Sequence, residues 1–415
     1  MQKFAENSRN FVQILCQMRR IAVIFLALLI IASCSDRRYY KVSGYAQGGT
    51  YTIKYRGACV GPEKVLALSD SLLREIDFTL SGYNKNSLLS RLNRGDSVVL
   101  TPMFAEVYRL SYEMWELSGG AFDAACGPLF DIWGFGFTNG ELPSDAEIAR
   151  VLASCGTARL VCPDVVDSLV RDGVVITSVS LISCGDGDCH GGSAFRDHSL
   201  REVPRTTIPL HPQGTVGRTP QAPCLHPILN FNAIAQGYSC DLVYNMLRGL
   251  GVTDMLVDIG EIRCCGFNPS GKGWSIGIDN PVDGNDKPGE DIRKVWTSDG
   301  GDYGVVTSGN YRKFYVRDGR KYSHTIDPRT GRPVEHNLLS ATVIVPGHAK
   351  EKAETLPCTH PSSDSGRHSS FAAAEADALA TMFMVIGFEP AREYLATRPD
   401  LTAYLITSDS LWSSK

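Results

Sequence analysis

The chain has 415 residues, 43% of them hydrophobic and 21% charged, which is ordinary globular composition and excludes a wholly disordered or fibrous protein. Its formal net charge is −4, from 41 basic and 45 acidic residues, so no basic excess supports binding of nucleic acid. The length predicts two or three domains, or one large α/β unit.

The N-terminal segment has the pattern of an export signal. Two arginines precede an apolar run over 21–32, and small residues lead up to Cys34. A basic region, a short apolar region and small residues before a cleavage point are typical of secretory signals. The run is shorter than the roughly 20 residues that a membrane span needs. Because a small residue before a cysteine resembles the bacterial lipobox, we expect 1–33 to be removed and Cys34 to be lipidated. An uncleaved anchor is the alternative, and Met1 or Met18 could be the start.

Taken in chain order, the remaining sequence predicts both helices and strands from its hydrophobic spacing. The predicted elements are a tether over 34–45, a strand over 50–55, helices over 61–78 and from Thr101 to Gly119, a helix capped by Ser144, a helix over 236–250, strands over 255–259, 274–278 and 339–345, and a helix over 372–386. Several strands follow one another without an intervening helix. This order favours an α+β fold with mixed, largely antiparallel sheets and flanking helices over a doubly wound parallel sheet.

Three segments carry residues suited to chemistry. Residues 119–123 form a Gly-rich turn with one carboxylate, whose backbone amides could cradle a phosphate, although such turns are often structural. His324 precedes an Asp-Pro turn at 327–331, and a lone histidine is more often structural than catalytic. Asp377 and Thr381 lie four residues apart, on one face of a helix. Both are oxygen donors of the kind that Mg²⁺ accepts, but a threonine bonded to its own helix is equally consistent with the spacing.

Together and in this order, the motifs resemble those of the ApbE family of flavin transferases. The matching segments are Gln47–Tyr51, Ser81–Ser87 with Leu92–Asn93, Gly119–Asp123 through Gly136, Ala233–Tyr238 with Asp241, Val257–Gly260, Thr307–Gly309, Ser323–His324 with Ile326–Gly331, and Ala376–Thr381. Any one of these motifs is weak, whereas the ordered series is specific. The resemblance implies an ApbE-like domain over 46–410, built as one catalytic unit with two subdomains.

The resemblance also implies an activity, that of a Mg²⁺-dependent FAD:protein FMN transferase. Such enzymes use FAD as a substrate, join FMN by a phosphoester to a Thr or Ser of an exported flavoprotein, and release AMP. Acceptors in the family are typically subunits of ion-pumping redox complexes. Some members hydrolyse FAD to FMN and AMP, so a periplasmic FAD pyrophosphatase is an alternative, and a non-catalytic flavin-binding lipoprotein is another. The expected location is a bacterial membrane, with the lipid-anchored chain facing the periplasm or the cell exterior.

The same resemblance assigns the site residues. Asp377 and Thr381 would hold the metal together with the backbone carbonyl of Ala233, and Asp377 would thereby take part in catalysis. His324 is the candidate for acid–base or positioning work. The residues that match FAD-contacting positions are Gln47, Tyr83, Ala121, Phe122, Asp123, Asn230, Gln236 and Ile326.

This chain departs from the usual family pattern at three of those positions. It has Gln47 where the family usually has Met, Asn230 where Asp is frequent, and Gln236 where Lys is common. Glutamine keeps the capacity to hydrogen-bond but lacks the charge that could meet a phosphate. Two stretches with little periodicity, 184–226 and 350–371, are predicted insertions beside matched segments. They could form a lid or an acceptor-docking surface, bind metal through their histidines, or be disordered and dispensable.

Overall fold

The computed structural model describes most of the chain beyond its N-terminal segment. The described residues are 38–57, 60–135, 142–182, 228–282, 285, 289–311, 314–317, 320–347 and 371–415. The predicted signal segment, Cys34 and all but the last residue of the two predicted insertions lie outside these ranges.

The helices begin where local sequence signals place them. They are α1 (Pro62–Leu80), α2 (Leu88–Asn93), α3 (Pro102–Leu117), α4 (Gly127–Ile132), α5 (Asp145–Leu152), α6 (Pro163–Arg171), α7 (Ala235–Gly249), α8 (Ala372–Ile386) and α9 (Phe388–Thr397), with 3₁₀ turns at Thr157–Arg159 and Ser178–Leu181. The hydroxyl of Thr101 caps α3 by accepting from the Phe104 N–H at 3.2 Å, and Ser144 caps α5 in the same way. Proline at the first position of α3 also favours the start, because that N–H has no helical partner.

The strands form one large sheet and four two-stranded sheets. They are β1 (Tyr39–Ala46), β2 (Gly49–Arg56), β3 (Val98–Val99), β4 (Val175–Ile176), β5 (Met255–Asp258), β6 (Ile262–Cys265), β7 (Ser275–Asp279), β8 (Ile292–Thr297), β9 (Tyr303–Gly309), β10 (Phe314–Arg317), β11 (Arg320–Ser323), β12 (Ile326–Asp327), β13 (Arg332–Pro333), β14 (Leu338–Pro346), β15 (Thr402–Thr407) and β16 (Leu411–Ser413). The eight-stranded sheet has the order β1-β2-β5-β6-β9-β14-β15-β16, and each neighbouring pair is antiparallel. The predicted α+β class with largely antiparallel pairing is therefore confirmed.

The central strand β14 is buried on both of its faces. Ala341 and Val343 belong to the main core, in which α7 and α8 pack against the sheet. Ile344 points to the opposite face, where Trp274 and Ile276 cover the sheet from the β7–β8 hairpin. A smaller core joins α4 and α5 to β12. The sheet thus fixes α7 and α8 side by side on one of its faces.

The predicted tether is wrong from residue 39 onward, where β1 begins. β1 pairs with β2 along its whole length, from Tyr39 opposite Arg56 to Ala46 opposite Gly49. The strand is hard to recognise because it lies at the sheet edge, where Val42 is the one residue of β1 that the structure buries. Among the described residues, no helix is both long and apolar enough to cross a bilayer.

Candidate active site

The candidate site centres on the contact between α8 and the start of α7. The backbone N–H of Gly237 donates to Oδ2 of Asp377 at 3.1 Å. Glycine is required there, because a Cβ at position 237 would lie 2.2 Å from the carbonyl oxygen of Ala373. The missing side chain lets the two helices approach until a main-chain donor of α7 reaches the α8 carboxylate.

Asp377 is a buried carboxylate without a cationic partner among the described residues. Burial raises the pKa of its carboxyl to about 7, with a further upward push from Asp241, while the Gly237 hydrogen bond acts in the opposite direction. Within the described part of the chain, Oδ1 of Asp377 accepts no hydrogen bond, and the hydroxyl of Thr381 has no partner either. A bound cation would supply the missing counter-charge.

The donor set suits a hard cation. The described residues contain no group of three or more His, Cys, Asp or Glu side chains that could hold a metal. A cation at Asp377 would instead draw on a carboxylate, a hydroxyl and backbone carbonyls, the oxygen ligands that Mg²⁺ uses together with water and substrate phosphates. The Asp377–Thr381 pair therefore fits Mg²⁺ in chemistry and in charge.

A buried ionic network holds the start of α8. Asp241 of α7 accepts hydrogen bonds from the first amides of α8, those of Ala373 and Ala374, at 3.1 and 2.8 Å. The same carboxylate accepts from Nη1 of Arg263 at 2.9 Å, and Nη2 of Arg263 donates to Asp302 at 3.0 Å. The Arg263 side chain is fully buried and contacts both carboxylates, which are themselves almost inaccessible to water.

The segment 228–233 passes between several of the predicted FAD-binding segments. Asn93 of α2 exchanges two hydrogen bonds with the backbone of Leu229, at 2.8 and 2.9 Å. The N–H of Asn230 donates to the carbonyl of Ala124 at 2.7 Å. These contacts connect the Gly-rich turn to the loop that carries Ala233 and leads into α7.

Tyr83 also contacts this loop. Its side chain is 68% exposed, and its hydroxyl accepts from Nδ2 of Asn232 at 3.3 Å. The hydroxyl of Tyr83, a predicted flavin contact, therefore bonds to the residue that directly precedes Ala233, a predicted metal ligand.

The Gly-rich turn presents its backbone more than its side chains. Ala121 and Phe122 are buried, so any ligand contact made by these two residues would use main-chain groups. Asp123 accepts hydrogen bonds from the hydroxyl of Thr157 and the N–H of Ala125, both at 2.7 Å. Burial raises the pKa of Asp123, and these hydrogen bonds lower it. Its carboxylate fastens the turn to the neighbouring loop, and its role in binding FAD stays a prediction.

Both glutamines that depart from the family pattern lie at the start of α7. Nε2 of Gln47 donates to the Ser239 hydroxyl at 2.5 Å, and that hydroxyl donates to the carbonyl of Ala235 at 2.6 Å. Gln47 has a φ of 52° in the two-residue turn between β1 and β2. Nε2 of Gln236 lies 3.4 Å from the carbonyl of Ile259. The structure therefore brings these two predicted residues together at one helix end.

His324 is connected to a different part of the site. Its ring lies 6.5 Å from that of Phe135 in an edge-on arrangement. The next residue, Thr325, donates from its hydroxyl to Oδ1 of Asn310 at 2.5 Å, which joins the histidine segment to the Thr307–Gly309 motif. Ile326 is buried in the smaller core, so its side chain supports the segment from behind.

Comparison with known proteins supports the family resemblance of the motifs between residues 47 and 359. The model of the ApbE family matches residues 47–181 and 221–359. The chain belongs to the ApbE family. A FAD:protein FMN transferase of Vibrio cholerae is 29% identical over 337 residues, which cover 79% of this chain and 83% of that relative. One from Escherichia coli K12 is 28% identical over 339 residues, covering 80% and 74%.

A solved structure of the ApbE family has the same fold. The apo form of the flavinyl transferase ApbE from Pseudomonas stutzeri is 27% identical and superposes with a TM-score of 0.63, covering 91% of this chain and 95% of the other. The resemblance drawn from the motifs is thus confirmed, whereas the individual roles of the site residues stay predictions.

Sequence reasoning missed the residues that position the others. Gly237 lies within a matched motif, but the sequence drew attention to its neighbour Gln236, which replaces a charged residue of the family pattern. Ser239 and Asn93 act through hydrogen bonds that depend on distant segments. Arg263 gave no signal, because an arginine in a strand is ordinarily exposed, and its burial becomes visible only once Asp241 is placed beside it.

Proposed function

We propose that this protein is an FAD:protein FMN transferase that depends on Mg²⁺. In the proposed reaction it moves FMN from FAD to a Thr or Ser of an exported acceptor flavoprotein by a phosphoester bond, and AMP leaves. The acceptor would be a subunit of an ion-pumping redox complex. The observation that carries the proposal is the buried Asp377 carboxylate, which faces the start of α7 and pairs with no basic side chain in the described ranges, in a chain related along most of its length to FAD:protein FMN transferases.

The proposed metal ligands are Asp377, Thr381 and the carbonyl of Ala233. When bound, Mg²⁺ would act as a Lewis acid that polarises the pyrophosphate and offsets its charge. The Gly237 N–H orients the Asp377 carboxylate and favours its ionised form, which is the form that binds a cation. The Asp241–Arg263 pair fixes the α8 turn from which Asp377 projects.

The remaining residues bind and orient the donor in this proposal. Tyr83 offers an exposed aromatic face and the Gly-rich turn offers backbone groups, a combination suited to a planar ring beside a phosphate. His324 would hold or move the proton of the acceptor hydroxyl as that oxygen attacks phosphorus. Holding the FAD pyrophosphate and the acceptor hydroxyl close together would lower the barrier further.

We also propose that the protein is exported and anchored to a membrane through a lipid on Cys34, facing the periplasm or the cell exterior. The proposal is supported by the short apolar run and the small residues before Cys34.

The reaction is tested by incubating the purified protein with FAD, Mg²⁺ and an acceptor protein, and reading flavin fluorescence of the denatured acceptor together with AMP release. Asp377→Asn keeps the side-chain shape and removes the charge, and Asp145→Asn, at an exposed carboxylate, is the matched control. A labelled acceptor with AMP, lost in Asp377→Asn alone, supports the transferase. Free FMN and AMP without labelling would replace it with the pyrophosphatase, and bound FAD without AMP would leave a flavin-binding protein.

A further inference from the structure

We propose that the end of the molecule where β1 begins rests against the phospholipid bilayer. This membrane-facing surface consists of Arg38, Tyr39, Arg56, Phe267 and Lys272. The inference rests on the proposed lipid anchor at Cys34, and it adds an interaction surface and an orientation that the proposed reaction does not require.

The length of the connection brings this end of the fold close to the lipid. Cys34 precedes Arg38 by four residues. A chain spans at most about 3.6 Å per residue, so an acylated Cys34 lies within about 14 Å of Arg38. Because the acyl chains sit in the bilayer, the start of β1 stays within that distance of the headgroups however the protein tilts.

Contacts within the protein hold the backbone of the exposed residue Phe267 at this end of the fold. The hydroxyl of Tyr39 donates to the carbonyl of Phe267 at 2.9 Å, and the Phe267 N–H donates to Oδ1 of Asp254 at 2.9 Å. Asp254 pairs with Arg56 at 3.2 Å, and Arg56 lies opposite Tyr39 in the β1–β2 register. This closed ring of contacts holds the backbone of Phe267 against the strand while 46% of the residue remains exposed.

The chemistry of the surface suits the interfacial zone of a bilayer. Aromatic residues and long basic side chains are enriched where hydrocarbon meets headgroups. Lys272 is exposed on the loop that follows Phe267, and Arg38 is exposed beside Tyr39. Asp254 pairs with Arg56 at 3.2 Å, so the two charges of that pair cancel within this surface. We therefore expect the anchor to supply the affinity and this surface to supply the orientation.

The orientation determines where the candidate active site stands. β1 has eight residues, and at about 3.3 Å per residue Ala46 lies about 23 Å from Tyr39. Gln47 follows directly and contacts Ser239 at the start of α7. With the Phe267 end on the lipid and β1 leading away from it, the Gln47 end of the site would stand about 23 Å from the membrane-facing surface, within reach of an exported acceptor domain.

The test uses the acylated full chain reconstituted into phosphatidylcholine vesicles that contain brominated lipid, a quencher of tryptophan fluorescence. Phe267→Trp places a probe on the proposed surface. Tyr45→Trp, at a residue that is 73% exposed near the opposite end of β1, is the matched control. We expect at least twofold more quenching in Phe267→Trp than in the unsubstituted protein, and no increase in Tyr45→Trp.

Equal quenching of the two variants, or no added quenching in Phe267→Trp, would overturn the proposed surface. Hydrogen exchange of the amides of 266–272 in the unsubstituted protein, with and without vesicles, gives the same answer without a substitution: protection supports the surface and unchanged exchange overturns it. If the purified acylated chain did not sediment with vesicles, the proposed surface would also be overturned, because the proposal rests on the lipid anchor. FMN transfer to an acceptor in detergent solution, measured on the same preparation, tests the reaction separately from the surface.

Discussion

Replacing Gly237 with alanine is expected to weaken metal binding strongly. A Cβ at this position would lie 2.2 Å from the Ala373 carbonyl oxygen and 2.8 Å from the Ala374 nitrogen. Van der Waals contact of such atoms needs roughly 3.5 Å, so the start of α7 must move away from α8 by roughly 1 Å. The Gly237 N–H then loses Oδ2 of Asp377, which it reaches at 3.1 Å in the native chain.

The size of the effect follows from that lost hydrogen bond. A hydrogen bond to a charged group contributes about 1.5–3 kcal/mol, equivalent to a roughly 10- to 150-fold change in an equilibrium constant. Loss of a group that orients a metal ligand typically costs about 10- to 100-fold in affinity. The effect on protonation also weakens metal binding. The Gly237 hydrogen bond lowers the pKa of Asp377, so its loss leaves less of the ionised carboxylate near neutral pH.

The assay is the Mg²⁺ concentration that gives half-maximal FMN transfer, measured beside the thermal melting temperature. Gly249→Ala is the matched control, because Gly249 ends the same helix and a Cβ there meets no atom within 4 Å. We expect the half-maximal concentration to rise at least tenfold in Gly237→Ala, with the rate recovering at high Mg²⁺, and to stay unchanged in Gly249→Ala. A Gly237→Ala protein that melts lower but keeps the native Mg²⁺ dependence would refute this reasoning.

Three further predictions concern charge and protons. Burial raises the pKa of Asp377 to about 7, above the roughly 4 of an aspartate in an unfolded chain. The contribution of this group to folding stability is therefore fully present below about pH 4 and is lost as the pH rises through 7. In thermal melts with chelator from pH 5 to 8, the melting temperature should decline less for Asp377→Asn than for the native chain. Arg263→Met leaves the buried Asp241 carboxylate unpaired and should lower the free energy of unfolding in urea by about 3–5 kcal/mol, whereas Arg150→Met, at an exposed ion pair with Glu147, should change it by less than about 1 kcal/mol. His324→Ala should reduce the FMN transfer rate by roughly 10²- to 10⁴-fold with little change in FAD affinity, and steady-state kinetics that show a weakened affinity alone would assign the histidine to binding.

The fold was predictable where each element carries its own signal. Thr101 and Pro102 mark the start of α3, and α8 is mostly apolar because most of its residues are buried, with Asp377 among the few polar ones. β1 was not recognised, because a strand at a sheet edge buries few side chains and its alternation is weak. Strands at a sheet edge are therefore the hardest elements to recognise in a sequence.

The candidate site was predictable as a set of motifs but not as a set of contacts. Asp377 and His324 stand out by residue type, so their positions could be chosen from the sequence alone. The hydrogen bond from Gly237 to Asp377 joins residues 140 positions apart, and the Asp241–Arg263 pair depends on a sheet that neither residue specifies. Asp123 also stands out by residue type, but the structure shows its carboxylate accepting hydrogen bonds from Thr157 and Ala125 within the protein.

The strand order of the large sheet has a consequence for how the chain reaches its folded state. The two N-terminal strands occupy one edge and the two C-terminal strands the other, and the central β9 and β14 come from the second half of the sequence. α8, which covers those central strands, follows β14. The main core cannot close until nearly the whole polypeptide is available, and pairings between such distant segments form slowly. The chain is therefore expected to stay incompletely folded until its last strands have been synthesised.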